Sequence, residues 1–90
     1  MLIEPSTRKD KRLMATYKNG TVVHFGLKGG KTYIDEGDKV KRKNYLARHK
    51  VNEDWSDPYS PGALSRYLLW GDSTDLETNH RKFMRLFNIS

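Results

Sequence analysis

The 90-residue chain predicts an α+β domain: a small N-terminal antiparallel β-hairpin, open to extension by a third strand, followed by three short helices. Three observations carry this expectation. Apolar residues alternate on both sides of Asn19-Gly20, a hairpin signature. Ser60-Pro61 marks a helix start, because serine caps free N–H groups of a first turn and proline at the next position has no N–H to leave unpaired. Leu76, His80, Phe83, Met84 and Phe87 recur at the spacing of one helical face.

Each element follows in chain order. Residues 1–11 hold little apolar surface after Leu2 and Ile3, and read as a flexible segment ahead of a single domain over 12–90. Leu13, Ala15 and Tyr17 share one face of a strand, as do Val23, Phe25 and Leu27, giving a hairpin of about 12–17 and 21–27. Asn19 and Gly20 would both adopt positive φ in a type I′ turn. Gly29-Gly30 breaks the strand, and Thr32-Tyr33-Ile34 supplies a short third one. That glycine pair lacks the spacing of a phosphate loop and opens no helix, so it reads as a turn.

Asp38 caps a helix of about 39–51 whose apolar-leaning stripe is Val40, Asn44, Ala47 and Val51. Charge wraps the rest of that cylinder, so it lies on the surface or is clasped by a partner. Asn52 stops it, and EDWSDPYSP is a loop. The helix from Ser60 buries Leu64, Tyr67 and Leu68 and ends at Gly71, and Thr74 to Glu77 has the capping-box spacing that opens a last helix of about 75–88. The expected core is Tyr17, Phe25, Trp55, Tyr59, Leu64, Leu68, Trp70, Leu76, Phe83 and Phe87. So short a chain has a small core, and help from a partner surface is expected.

Charge divides the chain. Residues 1–50 carry 13 lysines and arginines against 5 acidic residues, net +8, whereas residues 51–90 carry 4 against 6, net −2. The first half therefore suits an acidic partner, phosphate or carboxylate. Cysteine is absent, so disulfides and thiolate metal sites are excluded. No apolar run approaches the ~18 residues of a membrane span, and the first residues lack the apolar core of a secretory signal.

Little in the pattern points to catalysis. His24, His49 and His80 fall on three different elements without ligand spacing, and His80 reads as a satisfied, semi-buried side chain. Glu53, Asp54 and Asp57 miss the calcium-loop pattern and suit turn capping or pairing with the basic helix. No enzyme activity, metal or cofactor is expected. Lys39, Lys41, Arg42, Lys43, Arg48 and Lys50 are the candidate contacts to a partner or to phosphate, with Tyr45 and Trp55 as stacking groups. The bland alternative is a solvated face balanced by the acidic loop. A helix-turn-helix is disfavoured by the long proline-containing loop after the helix, and membrane binding by the lack of large apolar residues opposite the charge. Trp55 and Tyr59 should pack over the hairpin and the following helix while the cations face outward, so charge reversal at Arg42 and Lys43 is expected to spare the fold.

The order of NGTVVHFG, K-N-Y-x-x-R-H at Lys43–His49, W-x-D at Trp55, S-P-G at Ser60, L-L-W-G at Leu68 and the closing RKFMRLFNI resembles a family of small proteins of unknown function from large nucleocytoplasmic DNA viruses. The resemblance covers residues 12–89 and leaves out the first dozen. It implies a viral protein without an established enzyme activity, found in the virion or in the infected host cell's cytoplasm or nucleus. Size and charge extend this to a minor capsid or capsid-associated component that bridges other virion proteins, major or minor capsid proteins among them. A basic nucleic-acid-binding accessory protein using the 39–50 helix is the alternative.

Overall fold

Strands β1 (Leu2–Pro5), β2 (Lys11–Thr16) and β3 (Val22–Leu27) form an antiparallel sheet in the order β1-β2-β3 in the computed structural model, which describes residues 1–90. Ile3 lies opposite Ala15, Ala15 opposite Val23 and Leu13 opposite Phe25. Since side chains alternate along a strand, this register sets all five on the inner face. Residues 2–5 are thus an edge strand, where a flexible segment was expected. They satisfy the outer backbone groups of β2, and Pro5 sits at the strand end, where its missing N–H costs little.

The hairpin turn also differs from expectation. Tyr17 N–H donates to Thr21 O at 2.9 Å and Gly20 N–H to Tyr17 O at 2.9 Å, enclosing a three-residue loop, Lys18-Asn19-Gly20. Gly20 has φ 89°, whereas Asn19 is not in the left-handed region and instead accepts Thr21 N–H on its side-chain oxygen at 3.0 Å. A two-residue Asn-Gly loop would have paired Ala15 with His24. That shift would turn Val23 and Phe25 to the wrong face, so the register selects the longer loop.

Thr32, Tyr33 and Ile34 form no strand. Thr32 is the N-cap of a one-turn helix, α1 (Tyr33–Glu36), and the Asp35 carboxylate accepts from its backbone N–H and its hydroxyl, each at 2.8 Å. Arg12 on β2 donates two more bonds to the same carboxylate, both 2.7 Å, tying α1 to the sheet and holding the Asp35 carboxyl well below its ordinary range. Helix α2 (Lys39–His49) is capped by Asp38, whose carboxylate accepts from Val40 and Lys41 N–H at 3.0 Å. It ends two residues before Val51, although Asn52 N–H to His49 O at 3.1 Å carries a tightened turn past that point.

Helix α3 (Pro61–Leu64) starts under the Ser60 cap and runs directly into a π-helical turn, Ser65–Leu69, closed by Trp70 N–H to Ser65 O at 3.0 Å. Helix α4 (Leu76–Leu86) is capped by Asp75 and not Thr74, with Thr78 N–H donating to Asp75 at 3.2 Å. The fold is α+β, three strands and four helices.

Phe25, Leu64, Leu68, Leu69 and Phe83 fill the interior with Ala15, Tyr17 and Trp70. Leu76 and Phe87 are half-buried against that core. Two expected core residues are not in it: Trp55 is half-buried in the loop, and Tyr59 is exposed. Tyr59 still covers the ring of Tyr17 at 4.5 Å, while the Tyr17 hydroxyl donates to Pro58 O. Burial, with Tyr59 and Asp57 nearby, pushes the Tyr17 phenol up to about 12.

Candidate functional site

Helix α2 turns Arg42, Tyr45, Leu46 and His49 toward the body of the protein. The Tyr45 ring lies flat on Trp70, centroids 4.3 Å apart and planes 6° apart, and His49 stacks on its other side at 4.1 Å. This buries far more apolar area than the stripe Val40, Asn44, Ala47, Val51 offers, so the helix packs the other way round. The apolar-leaning stripe is the outer face: Val40 is 70% exposed and Val51 80% exposed.

The six candidate cations separate accordingly. Arg42 is structural: its Nε donates to Trp70 O at 3.1 Å and Gly71 O at 3.0 Å, a terminal nitrogen reaches Asp72 at 3.0 Å, and the guanidinium lies 5.5 Å from the Tyr33 ring centre. It terminates the π turn by satisfying carbonyls that have no helical partner. Charge reversal there is therefore not neutral to the fold. Lys41 pairs with Glu36 at 2.8 Å. Lys39, Lys43, Arg48 and Lys50 are exposed, and none lies within ion-pair distance of a carboxylate.

The two proposed stacking groups are occupied. Tyr45 is 8% exposed between His49 and Trp70, and burial, with Glu53 nearby, raises its phenol to about 12. Trp55 donates to Glu53 at 3.2 Å and carries Arg66 at 5.2 Å from its ring centre. Arg66 also reaches Trp70 O at 3.3 Å, so two guanidiniums converge on one carbonyl. Burial and the nearness of Arg42 lower the proton affinity of Arg66.

A cleft of about 420 Å³ opens beside α2, lined among others by Lys11, Lys31, Tyr45, His49, Glu53 and Trp70. Its titratable pair is His49 Nδ1 with Glu53 at 3.3 Å. His24 shares a 2.7 Å hydrogen bond with Ser6 Oγ, and His80 keeps a buried Nε2 without a partner, not the satisfied side chain expected. Asp54 and Asp57 cap their own turns through Ser56 and Tyr59 N–H, each at 2.9 Å. No three His, Asp or Glu side chains gather as a metal site, and no helix is long and apolar enough to cross a membrane.

Asn79 escaped the sequence reading. It is 1% exposed, donates to Leu68 O at 3.0 Å and Ser73 O at 2.8 Å, and accepts Ser73 N–H at 3.1 Å. Its place between Leu76 and Phe83 on the packed stripe was the available signal. Gly71 completes this corner, because a Cβ there would come within 2.3 Å of Tyr67 O.

A three-stranded sheet covered on one face by short helices, with a cationic helix face left open, defines a small α+β domain. The chain belongs to the Family of unknown function (DUF5754), whose model matches residues 1–49. The match takes in β1, which the viral resemblance left aside, and ends at the last residue of α2. No curated protein and no solved structure matched the chain.

Proposed function

We propose that the protein is a non-enzymatic interaction module that holds neighbouring proteins together, with the outer face of α2 as its contact. One observation carries this reading: Val40, Asn44, Ala47 and Val51 point to solvent among Lys39, Lys43, Arg48 and Lys50, which have no ion-pair partner within the chain. An exposed apolar row framed by unpaired charge is costly to keep wet and gains from a matching surface. The other side of the sheet offers a second surface, where Leu2 lies opposite Thr16 and Thr16 opposite Val22, with both apolar residues exposed. Two such faces suit a bridge.

The motif resemblance supports placing this module in a large DNA virus, as a minor capsid or capsid-associated component that bridges neighbouring virion proteins, the major capsid protein or other minor ones. In that setting it resides in the virion or in the infected cell. Cross-linking mass spectrometry on purified particles tests the proposal. Links from Lys39, Lys43 or Lys50 to particle proteins are expected. Absence from particles, with recovery on nucleic acid after ultraviolet irradiation of infected cells, overturns it in favour of the accessory nucleic-acid reading. Four unpaired cations favour that second reading, whereas the inward Arg42 and the occupied rings of Tyr45 and Trp55 weigh against it.

A further inference from the structure

The outer face of α2 has the spacing of a coiled-coil seam. Val40, Asn44, Ala47 and Val51 follow one another at intervals of four, three and four residues, which are alternating d and a positions of a heptad repeat. In the same frame Lys41 and Arg48 fall at e, and Lys43 and Lys50 at g. Tyr45, Leu46, Arg42 and His49 occupy b, c and f, the side opposite a seam, and those are the residues packed on the body of the protein. The helix therefore presents Val40, Asn44 and Ala47 outward, and Val51 continues the row from the turn just past its end.

We infer that this seam docks a single acidic amphipathic helix of another protein, with apolar residues at its own a and d positions and glutamate or aspartate at e and g. Every flank of the seam is cationic, so a second copy of this chain would set like charges against one another in either orientation. A carboxylate-flanked helix instead meets unpaired cations at Lys43, Arg48 and Lys50, and at Lys41 competes with Glu36. Asn44 at an a position would choose the register by pairing with a polar residue across the seam. Nucleic acid would use the four flanking charges and leave the two valines wet. The partner so defined presupposes that α2 docks protein, the reading proposed above.

The row runs over residues 40–51 and the helix carries it only as far as His49, so binding to an isolated helix should be modest, with Kd about 10–100 μM. The test uses the full chain and two synthetic peptides of about 21 residues: an acidic heptad peptide, and a scramble of identical composition that breaks its a/d pattern. Amide shifts confined to residues 40–51, about 10-fold weaker binding of the scramble, and a similar loss on Val40→Ser with Val51→Ser are the expected results. Both valines are exposed, so the doubly substituted chain should fold. Equal binding of the two peptides overturns the seam yet leaves charge-driven protein docking on α2 intact. A duplex or single-stranded oligonucleotide that displaces the peptide, with a slope of log K against log salt near about −4, overturns both.

Discussion

Arg42→Ala is the substitution on which reading the helix from its sequence and reading it from its contacts disagree most. A solvated lysine-like residue would be replaceable at no cost. In the structure the single Nε–H of Arg42 is instead shared between the carbonyls of Trp70 and Gly71, at 3.1 and 3.0 Å, and the guanidinium touches the Tyr33 ring face. Its bond to Asp72 adds little, because that carboxylate is 71% exposed. The shared charge-assisted bond to these half-buried carbonyls is worth about 1.5–3 kcal/mol, and loss of the apolar stem and ring contact adds about 0.5–1 kcal/mol, so Arg42→Ala should cost about 2–4 kcal/mol. In a domain of this size that lowers Tm by about 10–25 °C. Lys43→Ala, one residue along and exposed, should stay within about 0.5 kcal/mol of wild type. Paired urea and thermal melts followed by circular dichroism measure both. Equal melts for the two variants would refute the structural role of Arg42. Arg42→Lys offers a finer check, since an ammonium cannot reproduce the fork, and it should recover less than half of the loss.

Asn79→Leu removes three hydrogen bonds and strands the Leu68 carbonyl and the Ser73 amide, so it should cost about 2–5 kcal/mol by chemical denaturation despite the gain in apolar volume. A variant as stable as wild type would mean that the corner joining the π turn to α4 is not held by this side chain. Burial, first, and the Met1 amino group, second, hold the His80 pKa below its ordinary 6.5. The unfolded chain therefore binds the proton before the folded one as pH falls. Stability contributed by the neutral ring is complete above pH 6.5 and declines below it, and His80→Gln should flatten that part of the stability–pH curve. A curve unchanged by the substitution would show that the ring titrates normally.

Much of the architecture was legible because local and global signals agreed. Ser60-Pro61, Asp38 and the stripe through Phe83 each specify an element by a mechanism confined to a few residues, and those elements stand close to their expected bounds. The errors arose where tertiary packing decided. Thr32-Tyr33-Ile34 has β-branched and aromatic character, but the two bonds from Arg12 to Asp35, twenty-three residues away in sequence, favour a capped helical turn. β1 carries only two large apolar residues and becomes a strand because β2 offers it an unpaired edge. The sequence left the facing of α2 open for a similar reason: Val40, Ala47 and Val51 are apolar one by one, yet Tyr45 between Trp70 and His49 outweighs them once α3 and its π turn are in place. The candidate surface was thus present in the sequence as a pattern, and only the packing shows which way it points.

The most direct measurement is site-specific photo-cross-linking from residue 47, with benzoylphenylalanine replacing Ala47 at the centre of the outer seam, in the cells or particles that contain the protein. A matched probe at Lys28, in the exposed turn after β3, serves as the control. A discrete protein adduct from position 47 that resists nuclease and is absent from position 28 is expected. Adducts that nuclease removes, or none at 47 while 28 yields one, would contradict it.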